Sequence, residues 1–219
     1  MITFDEAKHD ELRRQDYLDI FFKQNPDRNV SALVYNIHRK PSLDKITEMQ
    51  FADLIDTDMA DAMRLNVYQS TSFAFLLITG EMLGKNHAHT IFVNSRAFTD
   101  LDENDFRYNI VDHEYFHATD FRHGIPLPNG VIIDYTNSGL LQYDTLEGII
   151  DTRALIYQML KGREKGIHDS QAFMNAIKGF LKYHHQLKSV NPGNDFEREV
   201  IKAQIQSYQS LLPNHLREK

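Results

Sequence analysis

The sequence predicts an α+β protein, with a small, mostly antiparallel sheet in its N-terminal half and a mainly helical C-terminal lobe. Two β-prone runs, at 72–79 and 89–94, are rich in β-branched and aromatic residues and lie close enough to pair. From residue 102 onward, apolar residues recur mostly at helical spacing. A histidine and glutamate motif at 113–117 falls at the junction of the two halves, where the helical region begins.

The N-terminal half alternates helical and extended patterns. A polar break at 25–29 ends the first helical stretch, and a turn at 40–42 separates a strand from the next helical stretch. The predicted elements, in order, are a helix over about 5–23, a strand over 31–37, one or two helices over 44–66, and strands over 72–79 and 89–94.

The C-terminal half is predicted to be helical around one short extended insertion. Acidic residues followed by Phe106, Ile110 and Val111 on one side predict a helix that leads into the motif. The later predicted elements are a loop over 124–130, a short strand over 131–133, and helices over 144–156, 169–187 and 195–212. We therefore expect one unit over 1–219, with an α+β part over about 1–123 and a helical lobe over about 144–212.

Composition narrows the class of function. The chain has 219 residues, 42% of them hydrophobic, which is enough for a sizeable core. A net charge of −7 and the lack of any basic run argue against a nucleic-acid-binding surface. There is no cysteine, so disulfides, a thiol nucleophile and cysteine-ligated zinc are excluded.

The sequence predicts neither a membrane span nor a secretory signal. The longest apolar run, 73–78, is far too short to span a bilayer, and the first residues lack the pattern of a secretory signal. We expect no membrane span and a product that is cytoplasmic as synthesised. Export by a dedicated secretion system is compatible with this composition.

The motif His113-Glu114-Tyr115-Phe116-His117 is the HExxH pattern that binds zinc and activates water. On a helix, His113 and His117 differ by only about 40° and lie one turn apart, so both imidazoles can reach one ion. Glu114 lies about 100° away, where it can address a bound water without filling a coordination position. That geometry suits a general base.

A catalytic zinc needs a third protein ligand, and the residues offer three candidates. His123 is placed as in HExxHxxGxxH, but Asp120 occupies the position of the turning glycine, and an unbroken helix carries His123 about 240° round from His117. Asp120 shares the motif face, yet its short side chain is better suited to supporting the site. Glu147 lies on the next predicted helix, one turn before Asp151, so one carboxylate can ligate while the other orients a histidine.

These residues resemble the gluzincin metallopeptidases, the thermolysin- and neprilysin-like zincins. The likeness covers His113-Glu114-x-x-His117-Ala118, Thr119-Asp120 and Glu147-x-x-x-Asp151, about 40 residues in all. It implies a zincin-like fold, Zn²⁺ held by His113, His117 and Glu147, Glu114 as general base, and Asp151 as the hydrogen-bond partner of His113. The interval between His117 and Glu147 is longer than in thermolysin, because the insertion at 124–133 lies within it.

The expected activity is zinc-dependent hydrolysis of a peptide or protein substrate. We also expect narrow specificity, because no prodomain is visible and a broad protease would endanger the cell that makes it. Two alternatives remain open: an inactive zincin-fold binding or regulatory protein, and a secreted bacterial effector or toxin protease that cuts one host protein. For the donor that stabilises the oxyanion, Tyr135, Tyr143 and His184 are rivals, the last within the cluster Tyr183-His184-His185. His87 and His89 could form a second metal clip, although such a pair is more often a polar strand start.

Overall fold

The structure is a computed structural model, and it describes two-thirds of the chain in several segments. The described residues are 30–35, 39–52, 55, 57–69, 74–76, 83–84, 89–94, 97, 101, 105–168 and 170–209. The predicted helix over 5–23 lies outside these residues, as does His87 of the predicted second metal clip.

Helices dominate the described chain, and the strands are short, so the α+β class is confirmed at this coarse level. The strands are β1 (Val30–Tyr35), β2 (Ala74–Leu76), β3 (His89–Asn94), β4 (Ile125–Pro126) and β5 (Ile132–Ile133). The α-helices are α1 (Arg39–Phe51), α2 (Thr57–Gln69), α3 (His113–His123), α4 (Tyr143–Glu164), α5 (Gln171–Ser189) and α6 (Asp195–Gln209). A π-helical segment spans Asp105–Asp112 and a 3₁₀ turn spans Ser138–Leu140.

The described residues divide into two compact units. The first unit comprises those within Met1–Thr79 and His87–Ala118, and the second those within Gly80–Asn86 and Thr119–Lys219. The division falls inside α3, which is one continuous helix from His113 to His123. Among the described residues, no helix combines the length and the apolar character that crossing a membrane requires.

The sheet of the first unit has β3 in its centre. Strand β2 pairs with β3 in antiparallel register, with Phe75 opposite Phe92, as the two β-prone runs predict. Strand β1 pairs with the other edge of β3 in parallel, with Ala32 opposite Ile91, so the expectation of a mostly antiparallel sheet is wrong for this pair. The reason is the crossover: helices α1 and α2 lie between the two strands, and a parallel pair needs such a connection.

The core of the first unit is a helix-on-sheet contact. Ile46 and Met49 of α1 are three residues apart, and so are Ala60 and Met63 of α2, which places each pair on one helix face. Both pairs are buried in one cluster with Phe92 of the central strand. The apolar residues at helical spacing predict one or two helices in this region, and the structure has two, α1 and α2.

The second unit is built around α4, which packs along α5. Gly148 allows the close approach: a Cβ atom at this position would lie 2.8 Å from Cγ of Leu187, a fully buried side chain. Further along the same two helices, Leu155 packs with Ala176 and Phe180, and Tyr208 of α6 completes the cluster. The sequence-predicted helices over 144–156, 169–187 and 195–212 correspond to α4, α5 and α6, with α4 extending two turns further than predicted.

Helix α3 ends where the sequence predicts. Gly124 has φ of +77°, a left-handed conformation that suits glycine, and follows directly after His123. A Cβ atom on Gly124 would come within 2.8 Å of Cγ2 of Ile132, so glycine also lets the β4–β5 hairpin fold back on the helix end. The chain thereby leaves the motif helix and enters the insertion.

Candidate metal centre

Helix α3 brings His113 and His117 together. Their Nε2 atoms lie 2.9 Å apart, and the ring planes are nearly perpendicular, at 88°. The segment before His113 is helical, as predicted, but its turns are π-helical and the α-helix begins at His113. Because both histidines lie within the α-helical part, the four-residue spacing places them one turn apart on the same face.

The environment of His117 favours its neutral form. The side chain is 6% exposed. Burial, and secondarily the nearby charge of His113, hold the pKa of His117 well below its ordinary value of 6.5. A neutral imidazole has a nitrogen lone pair available, and that is the form in which histidine binds a metal.

Glu114 lies between the two histidines in sequence and is also buried. Its position on α3 directs it about 100° away from His113. A carboxylate that is next to the imidazoles in sequence, but points in another direction around the helix, can accept a proton from a water bound at the histidines. The helix therefore carries two nitrogen donors and one acid–base group within five residues.

Asp120 and His123, the alternative third ligands on α3, have other surroundings. Asp120 is buried and accepts hydrogen bonds from Arg153, with Nε at 2.6 Å and Nη2 at 2.9 Å. Burial raises the pKa of Asp120, and the hydrogen bonds and charge of Arg153 oppose this rise without cancelling it. His123 is exposed at the helix end.

Helix α4 carries Glu147 and Asp151 one turn apart, both partly buried. One oxygen of Glu147, Oε2, accepts a hydrogen bond of 2.9 Å from Nε2 of Gln186 on α5. The same Gln186 nitrogen donates to the carbonyl oxygen of Asp144, at 3.0 Å. Glu147 is thus held at the start of α4 by a residue that the sequence had given no reason to single out.

Two tyrosines accompany these carboxylates. The hydroxyl of Tyr183 on α5 hydrogen-bonds to Asp151, and burial, followed by the charges of Asp151 and Glu147, raises the pKa of Tyr183. Partial desolvation, followed by the charges of Glu147 and Asp151, raises the pKa of Tyr143, which begins α4 and is exposed over most of its side chain. Each phenol therefore stays protonated and can donate a hydrogen bond.

The rivals for the oxyanion donor are placed differently in the second unit. His184 is buried, stacks on Phe180, and has its Nδ1 atom 2.9 Å from the hydroxyl of Tyr208, so it belongs to the helical core. Tyr135 is exposed in the turn after β5, and Tyr143 is exposed beside Glu147. Tyr183, the neighbour of His184 in sequence, faces the carboxylates instead, because consecutive helical residues point about 100° apart.

The donor set for a metal ion consists of His113, His117 and Asp151, and this group of two imidazoles and one carboxylate could hold an ion. Nitrogen and carboxylate donors suit zinc, and they also suit other divalent transition metals. Arg153 and Gln186, which hold Asp120 and Glu147, belong to no motif that marks them in the sequence. Tyr183 lies in the predicted donor cluster, and its contact is with Asp151.

Comparison of the chain with protein-family models, curated proteins and solved structures found no match.

Proposed function

We propose that this chain is a zinc-dependent metallopeptidase. The proposal rests on the 2.9 Å approach of Nε2 of His113 to Nε2 of His117, on a helix that carries the buried Glu114 next to His113 in sequence. Two nitrogens converging from consecutive turns, with a buried carboxylate beside them, are the parts that water activation at a metal requires.

The two histidines fit zinc. With Zn–N distances of about 2.0–2.1 Å and tetrahedral angles, two ligand nitrogens are separated by about 3.3 Å. The observed 2.9 Å therefore needs an opening of only a few tenths of an ångström, which small rotations of the two rings provide. The lowered pKa of His117 supports the same fit, since the ring is neutral and ready to ligate at neutral pH.

The third ligand in this proposal is a carboxylate of α4. The gluzincin resemblance assigns that role to Glu147, whereas the donor set of two histidines and an aspartate assigns it to Asp151. Glu147 already accepts a hydrogen bond from Gln186, and Asp151 accepts one from Tyr183. Each carboxylate has two oxygens and can accept more than one contact, so either one can accept its hydrogen bond and also ligate the metal or orient a histidine.

The proposed reaction is hydrolysis of a peptide bond. Bound zinc would supply a Lewis acid that lowers the pKa of water and polarises a carbonyl. Glu114 accepts the proton of the attacking water and then delivers it to the nitrogen of the leaving amine. Tyr143 and Tyr183 are protonated donors on the α4 and α5 side, and they replace His184 as candidates for stabilising the oxyanion.

The decisive experiment is elemental analysis of the purified protein after incubation with zinc at neutral pH and removal of excess metal. We expect about one zinc per chain, and a loss of that zinc in His117→Ala, because two ligands cannot hold a catalytic zinc tightly. Glu147→Gln and Asp151→Asn separate the two carboxylates: the ligand variant loses most of the metal, and the supporting variant weakens it about 10–100-fold.

Asp144→Asn is the matched control for the carboxylate variants, since Asp144 is exposed in the first turn of the same helix. It should retain the wild-type zinc content. A wild-type protein that takes up no zinc when zinc is supplied would refute the proposed function and favour the reading of an inactive binding protein.

A further inference from the structure

Arg153 on α4 donates hydrogen bonds from three guanidinium nitrogens to α3 and β4 within the second unit. Its Nε and Nη2 atoms donate to Oδ2 and Oδ1 of Asp120, at 2.6 and 2.9 Å. Its Nη1 atom donates to the carbonyl oxygen of Pro126 in β4, at 3.1 Å. One side chain of α4 is thereby fixed both to the last turns of α3 and to the strand that follows α3.

This ion pair is well protected from water. The Asp120 side chain is 7% exposed and that of Arg153 is 21% exposed. A two-point contact between a planar guanidinium and a carboxylate fixes direction as well as distance, which a single contact to a lysine cannot do. Removal of Arg153 would leave the buried Asp120 carboxylate without this two-point partner, so the pair favours one defined geometry.

The position of Arg153 on α4 relates this contact to the candidate ligands. Arg153 follows Asp151 by two residues, so the two side chains leave α4 about 200° apart. Between them, the helix surface carries Ile150 and Ala154, and both of these residues are buried. A rotation of α4 about its axis cannot move Asp151 or Glu147 without also pulling Arg153 away from Asp120.

Asp120 is tied in the same way to the other half of the candidate site. It lies on α3 three residues after His117, and this helix is continuous through both positions.

We propose that Asp120 and Arg153 are positioning residues for metal binding. The pair sets the rotation of α4 against the end of α3, and thereby the direction in which α4 presents its carboxylates. This inference rests on the proposed function. It assigns Asp120 the task of holding Arg153, in place of contact with the metal or a ligand histidine.

The test uses Asp120→Asn and Arg153→Lys, which keep most of the volume and part of the hydrogen bonding but abolish the charged two-point contact. Zinc affinity is measured by competition with a chromophoric chelator, and ligand geometry by the visible absorption of the Co²⁺-substituted protein. We expect each variant to bind zinc about 10–100-fold more weakly, and its Co²⁺ bands to shift. The double variant should lose little more than the single variants, because both changes break one interaction.

Lys161→Gln is the matched control. It removes an ion pair on the same helix, between Nζ of Lys161 and Oε2 of Glu164 at 3.0 Å, at an exposed position. Its zinc affinity and Co²⁺ spectrum should remain those of the wild type. Thermal unfolding of every variant fixes a temperature at which all are folded, so that loss of structure and loss of positioning are separated.

The possible outcomes distinguish this inference from the proposed function. If the wild type binds no metal, the proposed function fails at the first step. If the wild type binds zinc and both folded variants bind it equally well with an unchanged Co²⁺ spectrum, the positioning role is overturned while the metal site stands. If Asp120→Asn unfolds, Arg153→Lys decides, and wild-type binding by that variant overturns the proposal.

Discussion

The hydroxyl of Thr145 donates a hydrogen bond of 2.6 Å to Oε1 of Glu197, and both side chains are fully buried. The same carboxylate accepts hydrogen bonds from the backbone and side-chain nitrogens of Gln142, at 2.8 and 2.9 Å, and from the backbone nitrogen of Gly193, at 2.7 Å. Glu197 thus joins the start of α4, the first turn of α6 and the loop between α5 and α6. A negative charge near two helix N-termini is favourable, because their free N–H groups point toward it.

Glu197→Gln is expected to destabilise the protein by about 2–4 kcal/mol, since the amide would place an NH₂ group against donors that now meet an oxygen. Urea unfolding followed by circular dichroism measures this change. Glu199→Gln is the matched control, because Glu199 lies on the same helix and is exposed. Equal stability of the two variants would contradict the assignment of Glu197 as a buried anchor.

The same carboxylate predicts a dependence of stability on acid. Burial alone would raise the pKa of Glu197, but hydrogen bonds from Thr145, Gln142 and Gly193 outweigh it and lower the pKa from 4.5 to about 2. A lowered pKa in the folded state means that the stabilisation is complete above about pH 4.5 and is lost as the pH falls toward 2. The shift corresponds to about 3 kcal/mol.

Urea unfolding of the wild type and Glu197→Gln between pH 6 and pH 3 tests this expectation. The difference in unfolding free energy between the two proteins should shrink as the pH falls, because protonation removes from the wild type what the substitution has already removed. A difference that stays constant over this range would show that Glu197 does not titrate as its hydrogen bonds predict.

Gly148→Ala should destabilise the protein by about 1–2 kcal/mol, although alanine favours a helix more than glycine does. The new methyl group would lie 2.8 Å from Cγ and 2.9 Å from Cδ2 of Leu187, which is buried and has little room to move. Differential scanning calorimetry measures the change. Gly139→Ala serves as the control, since nothing lies within 4 Å of a Cβ atom there, and a similar loss in both variants would argue against the close packing of α4 on α5.

Glu114→Gln is expected to retain zinc and to lose peptide hydrolysis, because the amide cannot accept the proton of the attacking water. Activity is measured on a mixture of peptides by mass spectrometry, with metal content determined on the same sample. A fall of at least about 100-fold is expected from the loss of general base catalysis. An active, zinc-bearing Gln variant would exclude Glu114 as the base.

His123→Ala should leave zinc affinity unchanged, because His123 is exposed at the end of α3, about 240° round the helix from His117. Chelator competition on this variant and on His117→Ala makes the comparison. A large loss in His123→Ala, together with full retention of zinc in Glu147→Gln and Asp151→Asn, would support the alternative in which α3 supplies all three ligands.

Local patterns predicted most elements of this fold. The apolar spacing of Ile149, Ile150, Ala154 and Leu155 gave α4, and all four residues are buried. The β-prone run that includes Phe92 predicted the central strand, and the loop predicted from residue 124 onward agrees with the end of the motif helix at His123. Each of these predictions depends on the physics of a few neighbouring residues, and this information is present in the sequence itself.

Relationships between distant residues could not be predicted in the same way. The parallel pairing of β1 with β3 depends on the path of the intervening helices, and a strand's own residues give no sign of it. For Asp120, the pattern indicated a supporting role, but it could not name Arg153, which lies 33 residues further along the chain. Similarly, the pairing of Gln186 with Glu147 depends on how α5 packs against α4.

The parallel pairing of β1 with β3 also bears on how fast the protein folds. Val30 and His89 are register partners, so β1 gains its hydrogen bonds only after a long loop has closed. Helices α4 and α5 follow each other directly in the chain and make contacts of shorter range. Proteins with many non-local contacts fold slowly, and we expect β1 to be among the last described elements to acquire protection from hydrogen exchange during refolding.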